Sequence, residues 1–310
     1  MTPADRIIAA PAERRLAVVQ VIASARRRLI LSPGECDDRR VIEALQAAVR
    51  RGVRVEALLT RRTKDRSGLR LLRLLLEAIG VRVWRYDGPH GKYHAKYAVA
   101  DRSCAFVGSM NLTRWCFRRS CDFLVVTHDR AVARGLTALF EADCRATGPA
   151  PLPDLPERLI VGPEAARTPI ADLMAHARKR IRLIDPKLED PRMLALLGAR
   201  ASTGIRVMSR RQSQEADLAP HGKLLIIDDE LALVGSMALS SSNLDRRREV
   251  GITVSDPAIV RRLLPLFEGH RHEMHHRGRV VLAGLGSGVG AGGAAPSSSS
   301  ARRAVEAQLA

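Results

Sequence analysis

The sequence repeats itself. RIIAAP at 6–11 returns as RLIVGP at 158–163, ARRRLIL at 25–31 as ARKRIRL at 177–183, and GVRV at 52–55 as GIRV at 204–207. All three pairs are separated by 152 positions. A constant spacing over separate segments is the mark of an internal duplication and restricts the chain to two similar units. Past residue 60 the spacing changes, because the second copy lacks the helix–strand segment around 64–86. Its counterpart, MSRRQSQEADLAP, is short and polar and reads as a loop.

Within the first copy, helical and strand patterns alternate. AERRLAVVQVIASARRR has helical periodicity, and the strand RLILS follows. DDRRVIEALQAAVRRG reads as a helix with acids in its first turn, Arg in its last and Gly52 as its stop. VRVEALL and VRVWRY read as strands around the helix SGLRLLRLLLEAIG, and KYAVAD and CAFVG as two more. The expected fold class is α/β. The Pro-rich segment TGPAPLPDLPE at 147–157 separates an N-terminal unit, 1–150, from a C-terminal one, 151–277. The Gly/Ala/Ser-rich stretch 278–310 is expected to be a disordered tail.

The 310 residues carry a formal net charge of +18, which points to anionic partners: nucleic acid, acidic headgroups or phosphorylated substrates. Aromatic residues make up only 3 %, thin both for a base-stacking platform and for an interfacial anchor. Five cysteines, without a Cys-x-x-Cys pair, a signal-like N-terminus or a long apolar run, lead to the expectation of a reduced cytoplasmic protein.

The sharpest feature is a second, longer repeat. GPHGKYHAKYAVADR contains two His-x-Lys pairs, His90-x-Lys92 and His94-x-Lys96. Only the second continues into Asp101, Gly108 and Ser109 at spacings that recur as His221, Lys223, Asp228, Gly235 and Ser236. All five positions are offset by 127. His90 and Lys92 are expected in a solvated loop at the start of the strand. His94 and Lys96 fall on one face of that strand, as do His221 and Lys223.

Two such sets suit phosphorus chemistry. One imidazole can attack phosphorus and the other protonate the leaving oxygen. Two lysines can neutralise the phosphoryl oxygens, so no metal or other cofactor is required. The Gly108-Ser109 and Gly235-Ser236 turns let backbone and hydroxyl donors reach those oxygens. Asp101 and Asp228 can each hold a histidine in the right tautomer.

HAKYAVADRSCAFVGSMN and HGKLLIIDDELALVGSMA resemble the two HKD motifs, H-x-K-x4-D-x6-G-S/T, of the phospholipase D superfamily. The similarity spans about residues 5–275. It implies a duplicated phospholipase D-like fold: two mixed β-sheet lobes flanked by helices, related by a pseudo-twofold, with one active site at their interface. It also implies a phosphohistidine intermediate, with His94 as nucleophile and His221 as general acid, then base. Asn111 matches the Asn of the family's G-S-x-N, whereas the second copy has Ala238. Where the family has N-x-E, this chain has Ser120 and Asp122, and Arg247 and Glu249. The acid survives in both, and Asp122 and Glu249 are candidates to hydrogen-bond the histidines.

The resemblance implies a soluble phospholipase D or phosphatidyltransferase acting on anionic phospholipid. It would be a monomer with an intramolecular pseudo-dimer, peripheral at the inner membrane face. The rivals are an endonuclease of the same family, favoured by the charge, and a non-catalytic anion-binding module. Arg118, Arg119 and Arg246 to Arg248 follow the Gly-Ser turns at matching places and are expected to form a basic rim. HEMHH, with His272, Glu273 and His276, matches a zinc-protease pattern but reads as a polar helix end.

Overall fold

The structure, a computed structural model, describes residues 5–148, 151–210 and 218–267. The stretch 278–310 and the HEMHH segment lie outside the described residues.

The first half runs β1 (Arg6–Ile8), α1 (Pro11–Ser24), β2 (Arg28–Ser32), α2 (Arg39–Arg50), β3 (Arg54–Leu59), α3 (Arg66–Ala78), β4 (Arg82–Arg85), β5 (Lys92–Tyr93), β6 (Tyr97–Ala100), β7 (Cys104–Gly108), α4 (Arg114–Arg119), β8 (Ser120–Cys121), β9 (Leu124–Thr127) and α5 (Arg130–Arg145). The second runs β10 (Leu159–Gly162), α6 (Arg167–Ala175), β11 (Arg180–Ile184), α7 (Pro191–Ser202), β12 (Arg206–Arg210), β13 (Ala219–Pro220), β14 (Leu224–Ile227), β15 (Leu231–Gly235), α8 (Ser241–Arg246), β16 (Arg247–Val254) and α9 (Pro257–Arg261).

The two sheets have the same strand order. The first is β1-β9-β7-β6-β2-β3-β4, and the second β10-β16-β15-β14-β11-β12, with β5 of the first half added to β16. Among the described residues only β4 has no equivalent in the second sheet, so α3 and β4 are the surplus of the first half. The repeated sequence makes repeated joints. Asp38 caps α2 and binds Arg15 of α1, and 152 positions later Asp190 caps α7 and binds Arg167 of α6. A carboxylate at an N-cap accepts the orphan N–H groups of the first helical turn, and the arginine fixes the neighbouring helix to it. The sequence reading placed Met208 to Arg210 in a loop. They belong to β12 instead, paired in parallel with β11 as β3 pairs with β2.

Alternation along the strands divides the core into three. In β6 and β7, Tyr97, Val99, Ala105 and Val107 face a central cluster, while Ala98, Ala100, Cys104 and Phe106 face an outer one under α1 and α2. In β14 and β15, Leu224, Ile226, Ala232 and Val234 face the same central cluster, and Leu225 and Leu233 a second outer one. The two sheets therefore share one apolar interior, to which α5 adds Leu136, Leu139 and Phe140. Apolar area common to both halves leaves neither unit able to bury its core alone.

Candidate functional site

Two short parallel pairings stitch the halves together at one end of that interior. β5 pairs with the start of β16, Lys92 opposite Arg247 and Tyr93 opposite Arg248. β13 pairs with β8, Ala219 opposite Ser120 and Pro220 opposite Cys121. These are equivalent joints, each offset by 127. The next residue along each strand is the important one. It is His94 facing Glu249 in one joint and His221 facing Asp122 in the other.

The result is a crossed arrangement. His94 Nδ1 lies 3.0 Å from both carboxylate oxygens of Glu249, and His221 Nδ1 lies 2.9 and 3.0 Å from those of Asp122. Each histidine is held by the opposite half. Both carboxylates are fully buried. A carboxylate on Nδ1 fixes the proton there and leaves Nε2 as the free, basic nitrogen.

The electrostatics are set by burial and by two lysines set against two carboxylates. Burial pushes the His94 imidazole down to about 3. Glu249 opposes this, and Lys96 and Lys223 reinforce it. At neutral pH His94 is therefore uncharged. Burial lowers the Lys96 ammonium to about 7 against Glu249, with Lys223 and Lys92 adding to the shift. Lys96 donates to the His94 carbonyl at 2.7 Å. Burial would raise Asp122, but His221, Lys223 and Ser109 outweigh it and hold the carboxyl at about 2. Burial is likewise outweighed at Glu249, whose carboxyl sits below the usual range because of His94 and Lys96. His-x-Lys itself precedes the strand rather than lying in it: β6 begins at Tyr97 and β14 at Leu224.

The two carboxylates have partly unlike supports. Ser109 and Ser120 hydroxyls donate to Asp122, Ser109 at 2.5 Å. The Ser236 hydroxyl hydrogen-bonds Glu249 as Ser109 does Asp122, and in place of Ser120 the Asn243 amide donates to Glu249 at 2.6 Å. The residue equivalent to Asn243 is Cys116, and its sulfur, an Asp122 oxygen and a His221 nitrogen lie within 4.8 Å of one another. Those three are the group that can hold a metal ion among the described residues. Asn243 and Cys116 escaped the sequence reading because their types differ, although both stand eight positions after the repeated glycine.

Four expected roles need correction. Ser109 and Ser236 are not aimed at a substrate phosphate. Both are fully buried, Ser109 on Asp122 and the Phe123 main chain, Ser236 on Glu249 and the Val250 main chain. Gly108 and Gly235 let those serines in: a Cβ at Gly235 would stand 2.4 Å from the Val250 carbonyl, and one at Gly108 3.1 Å from that of Phe123. Asp101 and Asp228 do not meet the histidines either. A strand advances about 3.3 Å per residue, so seven positions carry them to the far end of the hairpin. There Asp101 and Arg102, like Asp228 and Asp229, have positive φ and form a tight two-residue turn. The Asp101 carboxylate accepts from the Arg26, Arg27 and Arg28 N–H groups, and that of Asp228 from Arg178, Lys179 and Arg180.

Asn111 shares a cleft with His94. With His94, Lys92, Thr60, Glu35 and Leu69 it lines a cleft of about 170 Å³. Gly34 makes the approach possible. Its φ is +67, and a Cβ there would lie 2.4 Å from Asn111 Oδ1 and 3.4 Å from Lys96 Cε. His90 is not in a solvated loop, because it bonds Glu164 of the other half at 2.8 Å. Lys92 stands in β5 on the cleft wall. The expected basic rim is only partly a rim. Arg118, Arg119 and Arg246 are exposed, but Arg248 is buried, bound to Asp143 at 3.1 Å and Glu164 at 2.6 Å. Its side chain crosses the half-to-half joint, where burial is tolerable only with full pairing. Trp115, half exposed, meets the His221 ring edge-on at 6.0 Å. No helix among the described residues is long and apolar enough to cross a membrane.

A family model described as "Cardiolipin synthase, PLD-like domain" matches residues 18–144 and 207–271. Cardiolipin synthase A of Pseudomonas aeruginosa is 40 % identical over 129 residues, which are 40 % of this chain and 26 % of that protein. The Pseudomonas entomophila cardiolipin synthase A is 34 % identical over the same length. The chain spans about a quarter of the curated relatives it matches. Among solved structures, polyphosphate kinase from Porphyromonas gingivalis superposes with a TM-score of 0.68 at 19 % identity, over 85 % of this chain and 46 % of that one. Phosphatidylserine synthase from Haemophilus influenzae superposes with a TM-score of 0.65 at 12 % identity, over 84 % and 83 %. These structural likenesses are likenesses of fold.

Proposed function

Because the chain belongs to the cardiolipin synthase, PLD-like domain family, we propose that it is a phospholipase D-type phosphodiesterase or phosphatidyltransferase acting on phospholipid headgroups. The carrying observation is the crossed pair of histidine–carboxylate contacts around two buried lysines.

His94, uncharged and with its proton on the Glu249 side, attacks phosphorus through Nε2. A P–N bond forms as the bond from phosphorus to the leaving alcohol oxygen breaks. His221, held by Asp122, gives that oxygen its proton. In the second step water or an alcohol attacks phosphorus, and His221 takes the proton from the incoming oxygen. The P–N bond breaks and His94 returns neutral. Lys96 and Lys223 hold the non-bridging oxygens, whose negative charge favours the protonated form of Lys96. Asn111 and Lys92 contact the part of the substrate that enters the cleft beside His94. Asp101 and Asp228 act at a distance, by holding the hairpins that aim each His-x-Lys segment. The reading places the protein in the cytoplasm, working at the inner membrane face as a single chain.

The test is headgroup release from mixed phospholipid vesicles, run beside cleavage of plasmid and single-stranded DNA, with wild type, His94→Ala and His221→Ala. Lipid turnover lost in both variants supports the reading. DNA cleavage alone, lost in both, replaces it with a nuclease. Activity persisting in either variant contradicts the paired-histidine mechanism.

A further inference from the structure

Among the described residues, α3 carries three of the five exposed large apolar side chains. With β4 it lacks a counterpart among the described residues of the second half, and it leaves an apolar face in water. Leu71, Leu74 and Leu75 are 68, 47 and 39 % exposed, while Leu72 and Leu76 fill the core beneath. At 3.6 residues per turn, positions 71, 74, 75 and 78 form one stripe; Arg66, Arg70 and Arg73 form the stripe beside it, which ends in Glu77, paired with Arg73 at 3.1 Å, so Arg66 and Arg70 are its cations without a neighbouring acid on the helix. Arg62, Lys64, Arg66 and Arg70 are exposed, and Asp65 is the one acid between Arg61 and Arg73. An exposed apolar stripe edged by cations is the composition of a helix that lies in the interface of an anionic bilayer. These three large exposed apolar positions of α3 would otherwise be a cost without return in water.

Position adds the second argument. The first turn of α3 is also a wall of the active cleft: Asp65, Gly68, Leu69 and Leu72 line the same cavity as His94, Lys92 and Asn111. A surface that binds α3 therefore sits against the mouth through which a phosphodiester reaches His94.

We propose that α3 is a membrane-docking helix that inserts Leu71, Leu74 and Leu75 into an anionic bilayer and seats the His94 cleft on the lipid surface. The proposal rests on the phospholipid reading of the site for its purpose but not for its test. The full chain is sedimented with phosphatidylcholine vesicles with and without phosphatidylglycerol. Wild type is compared with the variant Leu71→Ser/Leu74→Ser/Leu75→Ser and with Arg66→Gln/Arg70→Gln. Turnover of monomeric dihexanoylphosphatidylglycerol, below its micellar concentration, is measured in parallel.

Wild type is expected to bind only the vesicles that contain phosphatidylglycerol. The serine variant is expected to lose about tenfold or more of that partitioning, and the glutamine variant several-fold. Turnover of the monomeric lipid stays within about twofold, since neither variant touches the cleft lining. Serine variants that bind vesicles as wild type does overturn the proposal. So does a wild-type dimer in gel filtration that the serine variant converts to monomer, because the leucines would then face a second copy. Vesicle binding that depends on the leucines, with no turnover of either lipid, keeps the docking helix and removes the phospholipid reading alone.

Discussion

His94 Nδ1 sits 3.0 Å from both oxygens of Glu249, across the boundary between the two halves, and His221 stands in the same relation to Asp122. The exchange of partners makes the site a property of the whole duplicated chain, since one half holds no complete histidine–carboxylate pair.

Replacing Glu249 by Gln keeps the shape and removes the charge that fixes the His94 proton on Nδ1. The expected effect is a loss of roughly 10³-fold in kcat with KM changed little. Steady-state kinetics on a soluble phosphodiester reads it directly. Asn243→Ala, which removes the 2.6 Å support of Glu249, is expected to fall between that variant and wild type.

The pH profile follows from Lys96. In the free protein its ammonium titrates at about 7, so the cation is lost as pH rises through that value. kcat/KM is therefore expected to decline on the alkaline side from about pH 7. Lys96→Arg keeps its charge throughout and is expected to remove that limb even if it lowers the plateau. A limb unmoved by Arg contradicts the assignment.

Stability has its own pH signature. The His94 imidazole is depressed from 6.5 to about 3 on folding. The unfolded chain therefore binds more protons between those values, and stability is lost as pH falls from about 6.5 toward 3. Urea midpoints measured across this range are expected to fall less in His94→Gln than in wild type.

Asp101→Ala removes the acceptor of three backbone N–H groups and a residue tolerant of positive φ, without touching either histidine. It is expected to cost about 1–2 kcal/mol in stability while retaining most of kcat on the folded protein. Denaturant titration beside kinetics separates the two.

Much of this was readable from spacing. The duplication and the five-point repeat follow from offsets of 152 and 127 that survive even where residue types do not, and the α/β layering from alternating helix and strand periodicity. What spacing could not show was which half each partner comes from. The crossing depends on β5 and β13, two residues each, too short to carry any periodicity. Asp101 and Ser109 misled for a different reason. An aspartate suits a left-handed turn as well as a histidine, and a buried hydroxyl on a carboxylate looks in sequence like one offered to phosphate. The leucines of α3 are consistent with an ordinary amphipathic helix until their exposure is known.

The most direct test of the central claim is the site of phosphorylation in the trapped intermediate. His221→Ala, supplied with a phosphodiester whose leaving group needs no protonation, should accumulate an acid-labile adduct, located by mass spectrometry on the peptide containing His94. An adduct on any other residue, or none while turnover continues, would contradict the arrangement of nucleophile and acid set out above.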